Sequence, residues 1–285
     1  MFEQDEAPFV GLGQEAGAEA LDAFFAHTPR LAVAFSGGCD SSYLVAAARH
    51  AGVDVRAYLV RTAFQLPCEI ADAERLAAEL GFELAIVDAD VLAEDAICAN
   101  PPDRCYRCKR FIFSTILKRL EEDGLAGTPL ADGTNATDDP ARRPGFRALA
   151  ELDVVSPLRR AGLGKDDVRA ASRGLGLFTA GKPSFSCLAV YVPEGERITA
   201  ASLKAAARSP EVVSRLVTRN AAIGVDLDTV YSADGVVAHL VEGAEGGQGA
   251  AGATAAGAPA GGKAPNAAAF GGARAFGGME AEGVR

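Results

Sequence analysis

Apolar and polar positions along the chain follow two alternating rhythms. Residues 14–27 carry Ala20, Leu21, Phe24 and Phe25 at helical spacing, which predicts an amphipathic helix. The short apolar run 31–35 (LAVAF) ends in glycines and reads as a buried strand. A helix over 41–50, a strand over 55–60, a helix over 69–80 stopped by Gly81, and a strand over 83–87 follow. Next come a helix over 110–121, the short run 129–131 and a strand over 154–157. Further on, 198–216 reads as one helix and 229–241 as strands. Strand alternating with helix implies parallel βαβ units, so the expected class is α/β, a doubly wound parallel sheet with helices on both faces. Ligands in such folds sit past the carboxyl ends of the strands, which singles out the loops after Phe35, Val60, Val87 and Ala131.

Composition divides the chain. From residue 243 to 285 there are 13 Gly and 15 Ala, with no hydrophobic period and too little large apolar surface to offset the entropy of ordering. We therefore expect a main domain over 1–180, a smaller C-terminal domain over 181–242 and a disordered tail over 243–285. The formal net charge is −10. It falls wholly on residues 1–242, because Glu245, Glu280 and Glu282 balance Lys263, Arg274 and Arg285. Such acidity weighs against nucleic acid as a partner. Three histidines leave little material for a His-rich metal site or a Ser-His-Asp triad. The acidic start shows no signal peptide, and no run is long and apolar enough to span a bilayer, so a cytoplasmic protein without a membrane partner is expected. Six cysteines then read as reduced thiols. A homo-oligomer is left open.

Candidate chemistry begins after the first strand, with Ser36-Gly37-Gly38-Cys39-Asp40-Ser41-Ser42. Two glycines let the backbone turn tightly against an anion, and the following helix points its free N–H groups back at the loop. The competing reading is a glycine-rich turn that binds nothing. No GK[ST] follows, so this is not a Walker A loop. After the run 129–131 comes Asp132-Gly133-Thr134-Asn135, a turn with exposed polar side chains at a strand end. Asp138 and Asp139 are candidates for holding Mg²⁺.

Cys105 and Cys108 form one CxxC ahead of the predicted helix, with Cys98 nearby. One pair alone is a weak zinc signal, although three such cysteines suit an iron–sulfur cluster in principle. No metal ligand is assigned.

SGGCDSS after an apolar strand, followed by DGTN, resembles the ATP-pyrophosphatase (PP-loop, adenine nucleotide alpha hydrolase) superfamily. Within it, Asn100-Pro101-Pro102-Asp103-Arg104-Cys105-Tyr106-Arg107-Cys108-Lys109 resembles the NPPxRCYxCK signature of the ATP-dependent sacrificial sulfur transferases of nickel-pincer cofactor biosynthesis. Arg143–Arg147 is similar to that family's RPGxRA segment, Ser156-Pro157-Leu158 to its SPL, and Gly162–Lys165 with Val168-Arg169 to GLxKxxVR. Lys182-Pro183-Ser184-Phe185-Ser186-Cys187-Leu188 resembles the KPxxxCL loop of the reactive cysteine.

The resemblance implies ATP and Mg²⁺ as cofactors, with Ser36, Gly37, Gly38, Asp40, Ser41 and Ser42 holding the pyrophosphate and Gly133, Thr134 and Asn135 bordering the nucleotide. It implies a small-molecule carboxylate substrate, a pyridinium mononucleotide, that is adenylated and then receives sulfur from Cys187. Lys182 is the expected cation beside that thiol, able to lower its pKa. Where the family continues CLxSRIPYG, this chain reads CLAVYVPEG, so an arginine clamp is replaced by Val190-Tyr191. Arg215 and Arg219 read as solvated surface residues. Competing expectations are an amide-forming synthase using ammonia, as in NAD or GMP synthases, a tRNA-thiolating relative, and a non-catalytic nucleotide-binding paralogue.

Overall fold

The computed structural model describes residues 14–224; the expected strands over 229–241 and the tail over 243–285 lie outside the described residues. Strand β1 (Arg30–Ala34) pairs in parallel with β2 (Asp54–Arg61) and with β4 (Leu130–Ala131), and β2 pairs in parallel with β3 (Glu83–Asp88). The order is β3-β2-β1-β4. The predicted strand over 154–157 is reduced to one parallel bridge between Val155 and Ala131, because Pro157 already opens a short helix.

Period-two alternation along these strands feeds two cores. Leu31, Val33, Val55, Ala57 and Leu59 face one side. They pack on α1 (Gln14–Ala26), α2 (Cys39–His50), α3 (Pro67–Leu80) and, further along the chain, α8 (Lys165–Gly174). Ala32, Tyr58, Val60 and Ala85 face the other side. After the short α4 (Asp95–Cys98), α5 (Arg104–Glu122) supplies Phe113, Ile116 and Leu120 to the second core. Leu149 of α6 (Phe146–Glu151) closes it, before the short α7 (Pro157–Arg160). Helices on both faces make the sheet doubly wound, as the alternation predicted. Each large apolar side chain buried in these cores contributes roughly 1.5–3 kcal/mol.

A third core lies past the carboxyl ends of β2 and β3. Phe64 and Leu66 follow β2, and Val91 and Ile97 follow β3. They meet Leu188, Val192 and Ile198, together with Leu203 of α9 (Ala200–Ala207) and Val212 and Leu216 of α10 (Pro210–Ala222). The single helix expected over 198–216 is thus two. Ser209 caps α10 by accepting a bond from the Val212 N–H at 3.3 Å, and Pro210 takes its first position, where a missing N–H costs nothing.

Candidate active site

Strand order reverses between β1 and β4, so the loops after these two strands flank one crevice at the switch point. The first loop is SGGCDSS. Gly37 takes a left-handed φ of +65°, and a Cβ there would stand 3.1 Å from the Ala73 side chain and 3.2 Å from the Ala73 nitrogen. Ser36 Oγ lies 3.1 Å from Ser41 Oγ, and Ser41 Oγ donates to the Gly38 carbonyl at 3.3 Å, so the loop braces itself. Gly38 caps α2 with no side-chain acceptor, leaving the first-turn N–H groups for another partner. Asp40 Oδ1 and Ser42 Oγ are buried and have no partner among the described residues. The other Asp40 oxygen is paired with Lys165 Nζ at 2.6 Å, from the first turn of α8.

The second loop presses directly on the first. A Cβ on Gly133 would meet the Ser41 nitrogen at 2.8 Å, a contact only glycine allows. Asp132 is buried and accepts from the Thr134 hydroxyl and, at 2.7 Å, from Ser156 Oγ. Asn135 Oδ1 accepts from Thr137 N and Oγ1 at 3.0 and 2.6 Å, which shapes its own turn. Asp138 is committed to the Asn135 N–H at 3.0 Å and to Arg143 at 2.7 Å, and Asp139 caps a turn through the Ala141 N–H. Among the described residues no group of three or more His, Cys, Asp or Glu is arranged to hold a metal ion.

Cys187 belongs to a loop laid past the end of β2, where the Leu188 N–H donates to the Phe64 carbonyl at 2.9 Å. Its Sγ is 3.8 Å from the buried Arg104 guanidinium. Arg104, not Lys182, is therefore the cation at the thiol; Lys182 is buried elsewhere against Asp72. Burial pushes the Cys187 pKa up, and the Arg104 charge and hydrogen bond pull only part of the way back. Cys105 and Cys108 lie in the first turns of α5 rather than ahead of it. Cys105 is exposed, whereas burial pushes Cys108 up to about 12. Cys98 is buried and bonds the Val91 carbonyl at 3.3 Å. An open cleft of about 320 Å³ lies beside Arg61, Gln65 and Ile70; none of the predicted site residues lines it.

No family model matches the chain. An uncharacterised protein of Synechocystis is 32% identical over 203 residues, which cover 71% of this chain and 75% of that protein. The pyridinium-3,5-bisthiocarboxylic acid mononucleotide synthase of Lactiplantibacillus plantarum is 33% identical over 172 residues, 60% of this chain and 62% of the enzyme. The tRNA-specific 2-thiouridylase of Sphingopyxis alaskensis is 30% identical over 209 residues, 59% of this chain and 53% of its own length. The chain belongs to one family with the Synechocystis protein, and its fold is that of the PP-loop, adenine nucleotide alpha hydrolase-like proteins. Both named relatives are enzymes, and the chain spans less than two thirds of either.

The sulfur-transferase signature NPPDRCYRCK divides into scaffold and chemistry. Asn100 adopts φ of +50° and donates to the Val192 and Pro193 carbonyls at 3.2 and 2.8 Å, which fastens the chain after Cys187. Tyr106 bonds Glu151 at 2.7 Å and locks α5 to α6. Arg104 faces the thiol, and Lys109 reaches to 3.9 Å from Asp132. A Cβ on Gly145 of RPGFR would stand 2.5 Å from the Lys109 side chain, so Lys109 would have to shift. Arg104, Lys109 and Lys165 were missed as site residues by pattern reading, although each sits inside a motif. Arg219, expected on the surface, is 3% exposed and paired with Asp72. Arg215 is paired with Glu211 in the open. Val190, where the family carries part of its Ser-Arg pair, is exposed.

Proposed function

We propose that this protein is an ATP-dependent sulfur transferase that activates a carboxylate of a small pyridinium mononucleotide and passes it the sulfur of Cys187. The observation that carries the reading is Cys187 beside the Arg104 guanidinium, at the same carboxyl edge of the parallel sheet as the SGG loop. ATP fits that loop: the uncapped N–H groups of α2 and the Gly37–Gly38 turn suit its phosphates, and Ser42 Oγ offers a hydroxyl. Asp40 Oδ1 is the free oxygen for Mg²⁺. When bound, ATP supplies an adenylyl group that turns a carboxylate oxygen into a leaving group.

The chain's own residues do the rest. Ser36, Gly37, Gly38, Asp40, Ser41 and Ser42 hold the phosphates, while Gly133, Thr134 and Asn135 border the nucleotide. Lys165 releases Asp40 and offsets phosphate charge at the same spot. Arg104 stabilises the Cys187 thiolate as it attacks the activated carbon, which breaks the acyl C–O bond, expels AMP and gives a thioester. Loss of the Cys187 Cα proton with cleavage of its Cβ–Sγ bond leaves a thiocarboxylate on the product and dehydroalanine in the chain. Each chain then acts once, in the cytoplasm. Among the described residues no helix is long and apolar enough to cross a membrane.

Intact-protein mass spectrometry after incubation with ATP, Mg²⁺ and the pyridinium biscarboxylate mononucleotide tests this. Loss of the sulfur mass at Cys187 is expected. Thiolated product beside an unchanged Cys187 would sink the sacrificial step, and turnover of Cys187→Ala with ammonia would favour amide formation.

A further inference from the structure

Three ionised side chains lie together in the interior, between the SGG loop and the helices that follow Cys187. Asp72 of α3, Lys182 and Arg219 of α10 are 6%, 3% and 3% exposed. Lys182 Nζ is 2.6 Å from Asp72 Oδ2 and donates to the Gly37 carbonyl at 3.0 Å. Arg219 pairs with the same carboxylate and donates to the Cys68 carbonyl at 3.2 Å. The chain around Lys182 is held as well: Arg169 donates to the Ala180 and Lys182 carbonyls at 2.7 and 2.9 Å.

Burying such charges is costly, and an apolar replacement is often no less stable, so stability alone is a weak reason for the arrangement. Its geometry suggests another role. Gly37 is the left-handed residue of the anion-binding turn, and its carbonyl is tied to a lysine five residues before Cys187. Two groups hold the ammonium, the Asp72 carboxylate and the Gly37 carbonyl. A shift of the Gly37 peptide on anion binding pulls on Lys182, whose main chain leads into the cysteine loop.

We propose that Lys182 is a positioning residue that couples occupancy of the pyrophosphate loop to the accessibility of Cys187. This rests on the reading that the SGG loop holds the phosphates of ATP. Because such coupling is reciprocal, order imposed on the cysteine loop also strengthens phosphate binding. Asp72 orients the lysine. Arg219 is a second cation on the same carboxylate, and its other bonds go to Asn220 and the Cys68 carbonyl rather than to the glycine turn.

The test uses the full chain, with Mg²⁺ and α,β-methylene-ATP as the probe. Calorimetry reads binding, and peptide mass spectrometry reads iodoacetamide alkylation of Cys187, with exposed Cys105 as the internal reference. Saturating probe should change the Cys187 rate about tenfold in the wild type, within the usual range of such couplings. Lys182→Met leaves Asp72 paired with Arg219, so the buried carboxylate keeps one cation. In that variant the change at saturation should fall below about twofold and the probe should bind more weakly. Arg219→Met should keep the coupling even where thermal stability drops. A wild-type ratio in Lys182→Met, or equal loss in Arg219→Met, overturns the proposal. Should Lys182→Met not fold, wild-type hydrogen exchange decides: amides 182–188 must change on saturation, and no change overturns it. Probe binding without any response at Cys187 refutes the coupling alone; no probe binding refutes the ATP reading and the coupling with it.

Discussion

The crevice at the strand ends and the loop that carries Cys187 are built in different ways. The crevice is made of backbone: a left-handed Gly37 resting on Ala73, an uncapped helix start, and Gly133 pressed against Ser41. Its precision comes from regular parallel pairing and close glycine contacts. The cysteine loop has no regular element beyond a short helical turn at Leu188–Tyr191. Side chains reaching from elsewhere hold it: Asn100 to the Val192 and Pro193 carbonyls, Arg104 to the thiol, and Lys182 to Asp72. A backbone site tolerates changes of side chain but not of glycine. A side-chain-held loop is the reverse, since each anchor is replaceable only by a group with the same charge and reach.

Three substitutions would break or sharpen that contrast. The largest effect is expected from Asp72→Ala, which leaves Lys182 and Arg219 buried without a counter-charge. Urea unfolding should show a loss of about 3–5 kcal/mol. A loss below about 1 kcal/mol, the level of an exposed pair, would mean that the charges are not held as described. Next is Gly133→Ala, whose Cβ meets backbone of α2 rather than a movable side chain. ATP-dependent pyrophosphate release should fall about 100-fold while the melting curve moves little, since small misplacements in a positioned site carry that cost. An unchanged rate would remove the glycine contact from the account of the crevice.

The smallest effect is expected from Arg104→Met. Burial has already raised the Cys187 pKa and the guanidinium opposes that rise, so removing it shifts the thiol further upward. Less thiolate is then present at any pH below the titration, and alkylation at pH 8 should slow by about tenfold, the effect of one pKa unit. The whole pH–rate curve should move to higher pH. A curve that stays put, or moves down, would show that Arg104 does not act on the sulfur.

Legibility followed the same division. The strands, their alternation and the two loops at the switch point could be read because local periodicity and glycine placement are properties of neighbouring residues. Two misreadings were also local. Ser209-Pro210 carried a helix-start signal inside 198–216, and Pro157 already marked the end of the strand over 154–157. The remaining errors were of another kind. Lys182 is five residues from Cys187 and does not touch it, whereas Arg104, 83 residues away, lies 3.8 Å from its sulfur. Arg219 looked like a surface charge because nothing in its own helix shows that Asp72 waits across the interface.

Sequence by itself determined the α/β alternation, the glycine turn after β1 and the family motifs, since each depends on the spacing of residues close in the chain. Tertiary structure decided which cation meets the Cys187 thiol, which is buried against a carboxylate, and which glycine meets backbone rather than a movable side chain. Those outcomes depend on packing between segments far apart in the chain, where Coulomb interaction and steric contact act on distance in space and take no account of distance in sequence.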